Sequence, residues 1–179
     1  MNNTIYLIVL LLPEDLGQEV DMLRLSLAPL AFAKASAHLT IIPPFKVSKT
    51  EAELEGLIRA VFNQQRAYFP LRLQHEGLFE DFPSHEHLVL KVQPALGLTK
   101  VRRELLGSLQ PVITELPRVQ GFLPHITVSK CHDRVKREKQ AEIIRHKLPP
   151  REFAANGIML WQLVESQSPH YETVQLYTV

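Results

Sequence analysis

Apolar positions along the chain follow two periods, and these alternate. Residues 5–12 are apolar except for Tyr6, a run of the length and density of a buried strand. Pro13-Glu14-Asp15 then opens a helix, with proline in its first turn and carboxylates at the positive end of the dipole. Val20, Leu23, Leu27 and Leu30 stripe that helix, and Pro29 lies near its end. Residues 37–45 read as a second strand, closed by Pro43-Pro44. Thr50-x-x-Glu53 is a capping-box pattern and starts a helix to about Gln65, with Leu54, Leu57, Ile58 and Val61 inward. Leu71, Leu73 and Leu78 mark a third strand.

The second half repeats the order. Residues 87–92 form a strand, Leu98, Val101, Leu105 and Leu109 stripe a helix that ends before Pro111, and residues 121–130 form the next strand. Asp133 caps a helix to about Lys147; residues 153–163 and 171–179 close the chain as strands. Each half thus reads strand, helix, strand with His-x-Thr, helix, strand. The landmarks recur at similar offsets, 33 positions from Ile5 to His38 and 37 from Leu88 to His125, which points to an internal duplication within one domain spanning residues 1–179.

On a strand, residues two apart share a face, so His38 and Thr40 project together, as do His125 and Thr127. Leu39 and Ile126 point the other way, toward the helices. If the two halves pack about a pseudo-twofold axis, two imidazoles and two hydroxyls meet in one groove. Phosphodiester cleavage needs that set: one base, one acid, and donors for the non-bridging oxygens. With eight His and eight Thr in 179 residues, chance supplies about 0.36 such tripeptides. Two copies with matched apolar flanks on equivalent strands are therefore poorly explained by coincidence.

Composition narrows the setting. Hydrophobic residues make up 45% and charged residues 22%, and the net charge is +1, so any polyanion must be met by a local cluster. The single cysteine, Cys131, excludes an intramolecular disulfide and a CxxC metal site, and it lacks the neighbouring base a thiol nucleophile needs. The apolar run at 5–12 is too short to span a bilayer, and no basic segment precedes it. The expectation is a cytoplasmic monomer with no membrane association.

Together, His38-Leu39-Thr40 and Pro124-His125-Ile126-Thr127-Val128 resemble the signature of the two-histidine phosphoesterases, which include the RNA 2′,3′-cyclic phosphodiesterases historically called 2′-5′ RNA ligases. The 87 positions between the motifs, Pro43-Pro44-Phe45, Phe122-Leu123-Pro124 and the closing strand at Tyr171 are similar as well. The resemblance implies a bilobal α/β (α+β) fold, two antiparallel sheets around a central cleft with helices outside. It also implies metal-free, cofactor-free action on RNA or nucleotides carrying 2′,3′-cyclic phosphates or 2′-5′ linkages. The alternatives are another cyclic nucleotide, a cyclic oligonucleotide or ADP-ribose cyclic phosphate as substrate, or a nucleotide- or RNA-binding module without turnover. Many family members carry Arg three positions after the second Thr; here Lys130 stands there, a charge without a bidentate fork.

Other candidates carry weaker signals. Lys130 lies five residues from His125, an odd offset that faces it away unless a bulge intervenes. Phe45, Tyr6 and Tyr171 are aromatics of the kind that stack on bases, though each suits core or rim packing too. His85 and His87 in Ser84-His85-Glu86-His87 share a strand face, but no third ligand completes a metal site. The segment 134–147 holds six Lys/Arg and reads as a solvated helix face with an Arg134–Glu138 pair, or as a guide for RNA. The groove walls are expected from residues 43–49, 77–85 and 169–171.

Overall fold

The computed structural model describes residues 4–28, 35–84, 86–93, 96–117, 121–166 and 168–178. Its elements run β1 (Tyr6–Leu10), α1 (Glu14–Leu27), β2 (Leu39–Val47), α2 (Glu51–Gln65) with a 3-10 turn at Arg66–Tyr68, β3 (Leu71–Leu78), β4 (His87–Gln93), α3 (Leu96–Leu109), β5 (Ile113–Glu115), β6 (His125–Lys130), α4 (Arg134–Lys147), β7 (Arg151–Ala155), β8 (Gly157–Val164) and β9 (His170–Thr178). Local chemistry accounts for the helix starts. Thr50 and Glu53 form the reciprocal capping box of α2, and Asp133 Oδ1 accepts from Lys136 N at 2.7 Å to cap α4. The predicted stripe residue Leu30 and Pro29 lie outside the described residues.

Among the described residues the strands form one antiparallel nine-stranded sheet, ordered β7-β3-β4-β6-β2-β1-β8-β9, with β5 added on β2. The expected two sheets are its two halves, β6-β4-β3-β7 and β2-β1-β8-β9. They are joined through one residue pair between β2 and β6, Leu39 opposite Ile126. Helices α1 and α4 pack against β6 and β3; α2 and α3 pack against each other, with α2 on β9 and α3 on β2. Leu39 and Ile126 are fully buried in the main core beside Leu54, Leu98 and Ile144 of three helices. A smaller cluster, Leu7, Val9 and Trp161 with Met159 and Tyr171, lies apart from it. Strand β1 is buried along its whole length because its alternate residues serve these two clusters.

Several sequence expectations change here. Pro43-Pro44 does not close β2, which continues to Val47; register shifts against β1 absorb extra residues around Ile41 and Pro43-Pro44, so the prolines sit where the ladder is already irregular. The run read as one strand at 153–163 is two. β7 pairs with β3 and β8 with β1, in opposite halves of the sheet, and the chain changes sides at Asn156. At Gly157 a side chain has no room, since a Cβ would overlap the Tyr177 carbonyl and lie 3.0 Å from Thr178 Cα. Strand β6 begins at His125, not Gly121. The short β5 is an addition to the elements expected from the apolar pattern.

Candidate active site

The Leu39–Ile126 pair aligns the centres of the two tripeptides on neighbouring antiparallel strands. Continuing that register sets Thr40 beside His125 and His38 beside Thr127. Since Leu39 and Ile126 face the helices, all four polar side chains face the opposite, concave side. Exposure follows suit: His38, Thr40, His125 and Thr127 are half-buried, whereas Leu39 and Ile126 are closed to solvent.

Both imidazoles are held in the same way. His38 Nδ1 lies 2.7 Å from the Ser36 carbonyl and His125 Nδ1 lies 2.7 Å from the Leu123 carbonyl, each two residues upstream. A carbonyl only accepts, so Nδ1 donates in both rings and Nε2 is left free to take or give a proton. Ring packing differs. His38 meets Trp161 edge-on at 4.9 Å, and Trp161 stacks on Tyr171 at 6.2 Å; His125 lies against Phe82 at 4.6 Å. Burial lowers the pKa of His38 to about 4, countered in part by the Ser36 hydrogen bond, with Arg24 and His125 adding to the fall. Burial also lowers His125, against the opposing Leu123 bond.

An irregularity follows each motif at the same point. The register shift in β2 places an extra residue at Ile41, and that in β6 places one at Val128, in each case just after the threonine. The bulge at Val128 reverses the parity beyond it, so Lys130 pairs with His87 on the face of His125 despite its odd offset. Its charge is nonetheless engaged: Nζ lies 3.4 Å from Glu86 Oε2, and His132 Nδ1 lies 3.0 Å from Glu86 Oε1. Behind the second bulge, buried Gln140 of α4 accepts from Ser129 Oγ at 2.8 Å and donates to the Leu27 carbonyl at 3.0 Å, tying β6 to two helices.

Beside His125 and Thr40 lies a cavity of about 650 Å³, walled by Pro43, Pro44, Phe82, Pro83, Phe122 and Leu123, with Arg102 in its lining. Two of the expected wall segments, 43–49 and 77–85, contribute. Gly77 (φ 87°) sits where β3 bulges against β4, and from there the chain turns to carry Phe79 and Phe82 toward His125. Tyr171 of the third expected wall reaches the site through Trp161. Phe45 does not line the site: it is 1% exposed, in the main core against Tyr6 at 6.1 Å, because it lies an even number of residues from Leu39 and the two single-residue register shifts of β2 between them cancel, leaving both on the helix side. His85 lies outside the described residues, and His87 hydrogen-bonds to Ser84 Oγ at 2.6 Å. Among the described residues no group of three His, Cys, Asp or Glu side chains is placed to hold a metal ion.

Sequence reasoning passed over Trp161, Phe82 and Arg102. Trp161 is the sole tryptophan of the chain, a signal available but tied to no motif. Phe82 and Arg102 come from a loop and a helix whose approach to the motifs is set by tertiary packing.

A curled antiparallel sheet with helices on one side, and two imidazoles over paired strands on the other, defines a two-histidine phosphoesterase. The chain belongs to the 2′-5′ RNA ligase superfamily, whose family profile matches residues 12–167. It is similar in structure to TT0787 of Thermus thermophilus, with TM-score 0.66, 18% identity, and 97% of each chain covered. E. coli LigT complexed with 3′-AMP is likewise similar, with TM-score 0.63, 16% identity, and 98% of each chain covered. No curated protein matches the sequence. Among the described residues no helix is long and apolar enough to cross a membrane.

Proposed function

We propose that the chain is a metal-independent phosphodiesterase that opens 2′,3′-cyclic phosphate ends of RNA or nucleotides, and that the same groups support reverse 2′-5′ ligation. The observation that carries this reading is the matched pair of imidazoles, each with Nδ1 committed to the carbonyl two residues upstream and Nε2 free. In hydrolysis one Nε2 takes a proton from water as the water oxygen bonds to phosphorus. The P–O bond to the departing ribose oxygen breaks, and the other imidazole gives that oxygen its proton. The lower pKa of His38 suits it to the base and leaves His125 as the acid. Thr40 and Thr127 donate to the non-bridging oxygens. E. coli LigT, of the same fold, forms complexes with 3′-AMP, ATP and NADP+, which supports a nucleotide as the occupant of this cleft.

The test is turnover of a nucleoside 2′,3′-cyclic phosphate in excess chelator. His38→Ala and His125→Ala should each cost about 10²- to 10⁴-fold in kcat, the usual worth of a positioned acid or base. Wild-type rates should not depend on added metal. Activity surviving in both variants, or lost to chelator and restored by metal, overturns the mechanism; nucleotide binding without turnover assigns the chain to a binding module.

A further inference from the structure

Arg102 sits on α3 and enters the lining of the cavity that holds Thr40 and His125. Three features fix its guanidinium. Its Nε donates to the Ile41 carbonyl at 3.0 Å, the carbonyl of the residue that β2 bulges out just after Thr40. Its carbon lies 4.5 Å from the centroid of the Phe122 ring, so one face is covered. Among the described residues no carboxylate forms an ion pair with it. Burial depresses its pKa, and no neighbouring charge contributes to that shift. With Nε bonded and one face covered, the terminal nitrogens are the part left for a ligand. Two N–H groups on one planar edge suit a pair of phosphate oxygens.

A half-buried cation without an anion is costly, and such positions are normally neutralised by a partner. Here the walls beside it are prolyl and aromatic, and Lys130, the cation at the end of the second motif's strand, is already engaged by Glu86. We propose that Arg102 is a substrate-binding residue whose terminal N–H groups clasp a phosphate of the nucleotide in this cavity, either the phosphate between the imidazoles or its neighbour along the chain. This rests on the reading of the cleft as a nucleotide site and assigns it a phosphate-binding arginine from outside both motifs. The bulge at Ile41 then does two things: it ends the regular ladder after Thr40, and its freed carbonyl orients the arginine.

The experiment is calorimetric binding of adenosine, 3′-AMP and adenosine 3′,5′-bisphosphate to the wild type, Arg102→Gln and Arg102→Lys. The Gln variant retains a donor for the Ile41 carbonyl and removes the charge; the Lys variant retains the charge and removes the fork. Arg102→Gln should weaken 3′-AMP by about 10- to 100-fold, as expected for a charge-assisted hydrogen-bonded contact, and leave adenosine unchanged, with Arg102→Lys intermediate. If the penalty appears only with the bisphosphate, Arg102 holds the neighbouring phosphate. Equal losses for adenosine and 3′-AMP, or equal losses in the Gln and Lys variants, indicate a packing role and overturn the proposal, as does binding within twofold of wild type throughout. Because the readout is binding, a failure of the hydrolytic reading shows separately, as absent turnover with phosphate-dependent affinity intact.

Discussion

His38 and His125 of the candidate site share a tripeptide pattern, a strand position and a carbonyl acceptor two residues upstream, yet they differ as acids. His38 is pressed against Trp161 in a cluster of buried apolar side chains, whereas His125 borders an open cavity beside Phe82. Desolvation disfavours the imidazolium in both, bringing His38 down to about 4 and His125 below its ordinary 6.5. For kcat/KM in the free enzyme the base must be unprotonated and the acid protonated. Activity should therefore rise as pH climbs through about 4 and decline as His125 loses its proton below 6.5, giving a bell centred on the acid side of neutrality. The pH profile of kcat/KM on a nucleoside 2′,3′-cyclic phosphate checks this, and an optimum above 7 contradicts it. Stability carries the same sign. The unfolded chain binds the His38 proton more readily, so the contribution of its neutral burial is present above 6.5 and is lost as pH falls toward 4. The pairing of imidazole with hydroxyl was legible in the tripeptides because strand parity is local. The difference between the imidazoles was not, because Trp161 and Phe82 are brought to them by distant pairings.

Elements were legible where the chain carries its own punctuation. The start of α2 follows from Thr50 and Glu53, and that of α4 from Asp133, since a cap is a contact between residues three apart. Thr50→Ala removes one side of the reciprocal pair and should cost about 1 kcal/mol of stability, read as a lower denaturation midpoint at unchanged slope, with no change in KM because no residue of α2 lines the cavity beside Thr40 and His125. Strand limits were less legible. Asn156-Gly157 is a turn dipeptide that breaks that run in the sequence, and the separate partners of β7 and β8 show that the division is real. Pro43-Pro44 read as an end because a proline cannot donate to a ladder, but the register shifts of β2 let the strand pass through. A single such irregularity, at Val128 in β6, brought Lys130 to the face of His125, whereas the two in β2 cancel and leave Phe45 on the core face that alternation from Leu39 gives it. Bulges depend on pairing, so a residue beyond one cannot be assigned a face by counting alone.

Across the whole molecule one apolar row crosses the sheet: Ile158 opposite Leu10, Leu10 opposite Leu39, Leu39 opposite Ile126, Ile126 opposite Leu90. Every member is closed to solvent. The row runs through both halves, and its central step is the pair that joins them. On the concave side of that step lie the two His-x-Thr sets, so the packing that holds the halves together also sets the separation of the imidazoles. The near-equal offsets along the chain suggested that the motifs meet; the seam shows how, with the middle residue of each tripeptide as the other's partner. Leu39→Ala and Ile126→Ala should each destabilise the fold by about 2–5 kcal/mol through lost burial and a cavity. They should also lower kcat beyond what unfolding explains, because a shift of about 1 Å between acid and base can cost about 10²-fold. Since the two side chains fill adjoining space, the double variant should lose less than the sum of the single losses in both stability and log kcat. Phe153→Ala supplies the comparison: it empties core space on β7, outside the seam, and should lower stability while folded protein keeps its kcat. Equal effects on kcat from Phe153→Ala and Leu39→Ala, measured at matched folded fractions, rule out the seam as the element that aligns the two histidines.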